Sequence, residues 1–172
     1  MIALFVCRLQ PMHNGHLHAI KKILGKYGSV LVAIGSSNVS RQRANPFSFE
    51  ERKEMLTSVL GKENLLGLCR IVGIPDIGND GLWAKEFEKY GFEVVVTGND
   101  WTKRCLSPGH KTEDPDFLEP EKYNATRIRN IIRLRGEWKF LVPGEVYAFV
   151  KKKLDSGEVK IDGELEKTTR YD

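Results

Sequence analysis

The chain has 172 residues, of which 41% are hydrophobic and 29% are charged, and its formal net charge is +4. This balance is that of an ordinary globular protein with room for one substantial core, and no apolar run is long enough to predict a membrane span. The basic residues are scattered without interleaved aromatic residues, so nucleic-acid binding is a minority interpretation.

Three cysteines, Cys7, Cys69 and Cys105, are widely spaced and form no C-x-x-C pair. This pattern indicates free thiols in a reducing compartment. The chain start lacks the basic residues that open a signal peptide. We therefore expect a cytoplasmic protein with a single domain over residues 1–172.

A strand, a tight turn and a helix are predicted between residues 2 and 24. Residues 2–6 form an apolar run of strand length, Pro11 excludes a central strand, and residues 17–24 return to helical spacing. Asn14 is the predicted N-cap of this helix.

Two histidines flank the predicted helix start. His13 lies just before it and His16 in its first turn, while Gly15 permits a close approach and Arg8 adds a positive charge. Helix N-termini attract anions, so the pattern predicts a polyphosphate site. The alternatives are satisfied surface or core histidines and a zinc site, but no third ligand stands at suitable spacing, because His18 points away from His16.

Residues 30–34 form a second continuous apolar run, typical of a strand buried on both faces in a parallel sheet. The run ends in Gly35 and Ser36. Together with the first strand and helix it makes a right-handed βαβ unit. Ligands of such sheets bind at the carboxyl ends of strands, so Gly35 should lie at the same edge as His13 and His16.

A polar loop over residues 39–47 carries Arg41 and Arg43. These arginines are interpreted either as phosphate ligands or as solvated surface charges, with no preference between the two. Ser48 and Glu51 then form a capping-box pattern, which predicts the start of the next helix.

Two further strands are predicted at residues 69–74 and 92–96, with a helix over residues 82–90 between them. Trp83 lies near the start of that helix. Core packing is the favoured interpretation for it, and a flat face for a heteroaromatic ring is the alternative. A small polar turn, residues 97–100, follows the fourth strand, and a short helix comes after it.

Residues 107–122 predict a long loop without periodicity. A basic helix over residues 124–134 follows, with Asn124 as its N-cap; arginines in its first turns oppose the helix dipole, which suggests that this end faces an anion. A last helix is predicted over residues 143–154, and the charged tail, residues 155–172, is expected to be loosely held.

Two stretches resemble signatures of one superfamily. Residues 8–16, RLQPMHNGH, resemble the signature of the H-x-G-H nucleotidyltransferases, and residues 124–129, NATRIR, resemble the second signature, which ends T-x-I-R. The finer pattern is similar to archaeal-type nicotinamide-nucleotide adenylyltransferases. It comprises I-G-S after the second strand, N-P-F followed by E-R, the Leu-Trp pair at 82–83, and L-V-P at 141–143.

This resemblance, which covers roughly residues 1–150, implies an α/β fold: a Rossmann-like parallel five-stranded sheet of order 3-2-1-4-5, helices on both faces and a C-terminal helical portion. It implies that the phosphate of nicotinamide mononucleotide (NMN) attacks the α-phosphorus of ATP in line, giving NAD and pyrophosphate. Mg²⁺ would accompany ATP. The resemblance also implies a homo-oligomer, in this family a hexamer.

The resemblance further implies site residues. Catalytic roles fall to His13, His16 and Arg129. ATP contacts fall to Arg8, Gln10, Pro11, His13, Gly15, His16, Arg43, Thr126, Ile128 and Arg129. NMN or NAD contacts fall to Gly35, Ser36, Trp83, Gly98 and Asn99, with Trp83 stacking on the nicotinamide ring.

The chain departs from the family pattern at a few positions. Cys7 replaces a usual glycine, Asn124 and Ala125 replace Ser-Gly, and Arg127 replaces a usual glutamate. Within the superfamily the alternative acceptors are phosphopantetheine, FMN, or a sugar or alditol phosphate with CTP. A non-catalytic nucleotide-binding module is the alternative from another class, and the presence of both histidines argues against it.

Overall fold

A parallel sheet of five strands lies at the centre of the computed structural model, which describes residues 1–167. The strands are β1 (Ile2–Cys7), β2 (Ser29–Ile34), β3 (Cys69–Gly73), β4 (Val94–Val96) and β5 (Lys111–Glu113). The α-helices of the described range are α1 (Asn14–Tyr27), α2 (Phe49–Lys62), α3 (Asp80–Lys85), α4 (Asp100–Leu106), α5 (Ala125–Arg133) and α6 (Gly144–Asp155). None of these helices is long and apolar enough to cross a membrane.

The strand order is β3-β2-β1-β4-β5, which confirms the predicted order. Strand β1 is central: Ala3 lies opposite Val30 of β2 on one side and opposite Val94 of β4 on the other. The chain therefore crosses from one half of the sheet to the other between β3 and β4. Open α/β sheets bind ligands at this switch, outside the carboxyl ends of the strands.

Alternate side chains of the central strands enter two cores, one on each face of the sheet. Ala3 and Phe5 join the larger core with residues of α1, α2, α5 and α6. Leu4 joins the smaller core with Trp83 and Phe87 from the α3 region. Helices on both faces are thus confirmed, and they explain why the strand sequences are continuously apolar.

Strand β5 differs from the prediction, which treated residues 107–122 as a loop. It has three residues with polar side chains and pairs with β4, Val94 lying opposite Lys111. Its strand conformation is fixed by hydrogen bonds to a buried neighbour, and a three-residue polar stretch carries no periodic signal of its own.

The chain beyond α6 packs back on the larger core. Val159 and Ile161 are both buried there. This differs from the loosely held tail predicted over residues 155–172, because two apolar side chains anchor an otherwise charged segment. The last part of that prediction, residues 168–172, lies outside the described residues.

Candidate active site

The turn between β1 and α1 places two histidines against each other. His13 caps α1: its Nδ1 accepts from the backbone N–H of His16 at 3.3 Å, and Nδ1 of His16 accepts from the backbone N–H of His13 at 3.2 Å. The ring centroids lie 3.6 Å apart. The prediction of Asn14 as N-cap is wrong, because the Asn14 amide donates to the backbone carbonyl of Phe140 at 3.1 Å.

These hydrogen bonds fix where the imidazoles carry their protons. An Nδ1 atom that accepts a hydrogen bond is unprotonated, so the neutral form of each ring has its proton on Nε2. Burial lowers the pKa of His16 to about 3, so this ring is neutral at physiological pH. Both rings line a cleft at the carboxyl edge of the sheet and can donate to an anion there.

Gly15 allows the segment before α5 to approach the histidine pair. A Cβ atom on Gly15 would lie 3.0 Å from Nδ1 of His13 and 3.0 Å from Cβ of Tyr123. Any side chain at this position would therefore push the first turn of α1 away from the segment that precedes α5.

Helix α5 brings a buried arginine to the same cleft. Asn124 caps the helix as predicted, its Oδ1 accepting from the backbone N–H of Arg127 at 3.0 Å. Arg129 is only 1% exposed. It donates from Nη1 to the carbonyl of Gln10 at 2.6 Å and from Nη2 to Oγ1 of Thr126 at 2.7 Å. The two sequence signatures are thus in direct contact.

The C-terminal segment supplies the counter-ion for this arginine. The Glu166 carboxylate accepts from Nε and Nη2 of Arg129 at 2.8 and 2.7 Å and pairs with Arg133 at 2.6 Å. Burial raises the pKa of Glu166, but hydrogen bonds from the arginines and their charge outweigh it, so the net pKa is lowered. Arg43 donates to backbone carbonyls just before Glu166.

Polar residues after β2 and β4 line another part of the cleft. Ser36 has φ of 50°, and its hydroxyl donates to the Asp76 carboxylate at 3.0 Å. Oδ1 of Asn99 caps α4 by accepting from the backbone N–H of Thr102 at 2.9 Å. The predicted residues at these two strand ends that line the cleft are Gly35, Ser36, Gly98 and Asn99.

Two tryptophans form an apolar part of the cleft wall. Trp83 packs edge-on against Phe87, with ring centroids 4.7 Å apart, and therefore belongs to the smaller core. Its ring also lies 4.4 Å from the ring of Trp101, at an interplanar angle of 50°. Nε1 of Trp101 donates to the Asp80 carboxylate at 3.2 Å. Trp83 thus belongs to the core and also lines the cleft, and its stacking on a heteroaromatic ring stays a prediction.

Most of the predicted site residues line this one cleft. They are Arg8, Gln10, His13, Gly15, His16, Gly35, Ser36, Trp83, Gly98, Asn99 and Arg129. The side-chain amide of Gln10 bonds at both ends to the backbone of Phe47, at 2.8 and 2.9 Å, and so ties two loops together.

Four predicted ATP contacts do not belong to the lining: Pro11, Arg43, Thr126 and Ile128. Pro11 is buried, and Ile128 is a core residue because it faces the sheet side of α5. Thr126 holds Arg129, and Arg43 holds the C-terminal segment. Contacts from these four positions to ATP stay predictions.

Sequence reasoning did not single out Asp76, Trp101 and Tyr123 as site residues, yet each lines the cleft. The sequence position of Asp76 and Trp101 could have indicated a site role, since both follow the ends of strands. Asp76 is the sole carboxylate in the described lining, against the cations Arg8 and Arg129. The Cys7 thiol in the wall is neutral, because burial raises its pKa to about 12. Because Glu166 balances Arg129, the attraction of the cleft for anions depends on Arg8 and on the N–H donors of the histidines and of the α1 N-terminus.

The chain is similar to proteins of one family over most of its length. The model of the cytidylyltransferase-like family matches residues 4–153. A nicotinamide-nucleotide adenylyltransferase of Sulfurisphaera tokodaii is 36% identical over 178 residues, covering 100% of this chain and 99% of the relative. Another from Saccharolobus solfataricus is 38% identical over 152 residues, covering 86% of this chain and 88% of the relative.

Among solved structures, a bifunctional NMN adenylyltransferase/ADP-ribose pyrophosphatase from Francisella tularensis superposes with a TM-score of 0.78 at 27% identity. The match covers 90% of this chain but 49% of that protein, so this chain spans about half of its length. A second structure of the Francisella protein, complexed with AMP and a manganese ion, gives a TM-score of 0.76 over the same shares.

Proposed function

The chain belongs to the cytidylyltransferase-like family, and we propose that it is the nucleotidyltransferase that joins the adenylyl group of ATP to NMN, giving NAD and pyrophosphate. One observation carries the choice of substrates: the stacked His13–His16 pair and the Trp83–Trp101 pair line the same cleft. The relatives that share nearly the whole chain are named for this reaction.

In the proposed reaction, a phosphate oxygen of NMN attacks the α-phosphorus of ATP as the bond to the pyrophosphate leaving group breaks. The Nε2–H groups of His13 and His16 and the N-terminus of α1 would stabilise the charge that builds up on the phosphate oxygens. Arg8 would add positive charge, and Arg129 would do so only in part, because Glu166 balances its charge. Because the imidazoles donate without transferring a proton, these residues act by orientation and electrostatics.

We propose that a divalent cation, Mg²⁺, enters with ATP. Within residues 1–167 no three His, Cys, Asp or Glu side chains lie close enough together to hold a metal ion. The donor set therefore fits an ion carried mainly by phosphate oxygens, which hard cations prefer. Bound there, Mg²⁺ would neutralise charge on the triphosphate. The Francisella protein has been solved with AMP and a manganese ion, which supports the use of a divalent cation with the nucleotide.

The tryptophan pair is proposed to bind the nicotinamide ring. Trp101→Ala is expected to raise KM for NMN about tenfold, because stacking on an aromatic side chain contributes roughly 1–3 kcal/mol per base. KM for ATP should change much less. Steady-state assays with each substrate varied give both values. Phe140→Ala removes an exposed aromatic side chain outside the cleft and is the control; equal effects of the two variants would contradict this role for Trp101.

The activity itself is tested by incubating the purified protein with ATP, Mg²⁺ and one acceptor at a time, and measuring NAD and pyrophosphate. NMN is expected to give both products. Turnover of phosphopantetheine, FMN, or a sugar or alditol phosphate with CTP, without NAD from NMN, would overturn the choice of acceptor. ATP binding by calorimetry without pyrophosphate from any acceptor would favour a non-catalytic nucleotide-binding module.

We further propose that the protein acts in the cytoplasm as a homo-oligomer, since NMN and ATP are metabolites of that compartment and the family resemblance implies a hexamer. Light scattering coupled to size-exclusion chromatography measures the oligomeric state directly. A monomer that synthesises NAD would contradict the predicted assembly and leave the proposed reaction in place.

A further inference from the structure

Arg52 of α2 is fully buried and bonds only to backbone carbonyls among the described residues. Its Nε donates to the carbonyl of Ser48 at 3.1 Å. Its Nη1 donates to the carbonyls of Arg8 at 2.9 Å and Gly35 at 2.7 Å, and its Nη2 donates to that of Ser36 at 2.9 Å. One guanidinium therefore joins the ends of β1 and β2.

This arginine differs from the other buried arginines near the cleft. Arg129 and Arg133 share the Glu166 carboxylate, whereas no carboxylate in residues 1–167 forms an ion pair with Arg52. Burial lowers the pKa of Arg52 to about 10; the charge of Arg8 lowers it further, while interactions with Cys7 and with the Asp76 carboxylate oppose this, so the side chain carries its charge at neutral pH. A buried cation that no carboxylate contacts directly is costly, so the hydrogen bonds to backbone carbonyls are what hold Arg52 in place.

Three of the four carbonyls that Arg52 holds belong to cleft residues. Arg8 stands on the side proposed for ATP, and Gly35 and Ser36 on the side proposed for NMN. Ser36 also has a left-handed backbone, with φ of 50°, which a non-glycine residue adopts only when its surroundings hold it there. Arg52 supplies such a contact through the carbonyl of Ser36.

We propose that Arg52 is a positioning residue that fixes the two substrate subsites relative to each other, so that the acceptor phosphate and the α-phosphorus of ATP are aligned. The proposal rests on the proposed function. It does not require Arg52 to touch either substrate, since Arg52 is absent from the described lining of the cleft. In-line transfer depends on such alignment, and a misplacement of about 1 Å can lower a rate about 10²-fold.

The test is Arg52→Lys, which keeps the charge but has three N–H donors on one atom in place of the planar fork. We expect kcat to fall at least tenfold, consistent with misalignment, while KM for ATP and for NMN each change less than about threefold. The calorimetric stoichiometry of ATP binding should stay that of the wild type. Arg70→Lys, the same change at an exposed position of β3, is the control and should behave as wild type.

An unchanged kcat in folded Arg52→Lys would overturn the proposal. So would a loss of kcat matched by an equal loss of ATP-binding stoichiometry, because the residue would then only maintain the folded fraction. If Arg52→Lys melts below the assay temperature, Arg52→Gln, which keeps an amide donor, replaces it in the same comparison. NAD formation by the wild type in these assays tests the proposed function separately, since its absence would reject that function whatever Arg52 does.

Discussion

Alanine in place of His16 is expected to lower kcat by about 10²–10³-fold, because a donor that stabilises charge in the transition state is lost. His16 lies in the first turn of α1, buried, with its ring stacked on His13 at 3.6 Å. The measurement is steady-state NAD formation with both substrates varied. If the interaction is stronger in the transition state than with bound ATP, kcat falls and KM for ATP changes little.

His18→Ala is the matched control for this variant. His18 lies in the same helix, but it is partly exposed and its ring is 3.8 Å from Asp116, outside the described cleft lining. It should keep the wild-type kcat. Circular dichroism must show that His16→Ala is folded, since loss of a capping interaction costs about 1 kcal/mol. An unchanged kcat in the folded His16 variant would remove this residue from the mechanism.

The protonation state of His16 adds a prediction about pH. Burial lowers its pKa in the folded protein from 6.5 to about 3. Between about pH 3 and 6.5, the His16 side chain binds a proton in the unfolded chain but not in the folded protein. The free energy of unfolding that this group contributes therefore falls as pH drops below about 6.5. In the folded protein the ring is a neutral donor at every pH well above about 3. The kcat of the wild type should show no titration of His16 between about pH 6 and 8, and a step in that range that disappears in His16→Ala would contradict the neutral donor.

The sequence predicts a helix start correctly where the capping contact is made by residues close together in the chain. Ser48 starts α2 and Asn124 starts α5 because each side chain accepts a backbone N–H three residues further on. The start of α1 depends on a distant contact, since the Asn14 amide donates to the carbonyl of Phe140, 126 residues away. His13 then takes the capping position. A distant partner of this kind leaves no trace in the sequence around the helix.

The same distinction between local and distant determinants applies to the residues of the candidate site. Gly35 and Gly98 come to the histidine cleft because parallel strands end at one edge, which the order of apolar runs already implies. Trp101 follows the end of β4, but its contact with Trp83 is visible only in the folded structure. The partner of Arg129 was missed as well, because Glu166 lies 37 residues further on in a charged segment without periodicity. Sequence patterns predict backbone topology, but the pairing of individual charges depends on tertiary packing.

Glu166→Gln is expected to lower the free energy of unfolding by roughly 1.5–3 kcal/mol, the range for hydrogen bonds to charged groups. The carboxylate forms ion pairs with Arg129, which is 1% exposed, and with Arg133, whose side chain is 3% exposed. An amide oxygen can accept from one of them but carries no charge to balance either. Denaturant unfolding at neutral pH measures the difference. The matched control is Glu164→Gln, because the Glu164 side chain is 94% exposed and an exposed pair contributes about 0–1 kcal/mol.

The same pair predicts how this difference depends on pH. The folded pKa of Glu166 is lowered, so its contribution is fully present above the unfolded pKa of about 4.3 and is lost as pH falls through the folded value. The difference between wild type and Glu166→Gln should therefore be constant from about pH 5 to 8 and shrink below about pH 4. A difference that persists into acid would show that packing of the side chain matters more than its charge. Equal losses in both variants would show that Glu166 has no special relation to Arg129.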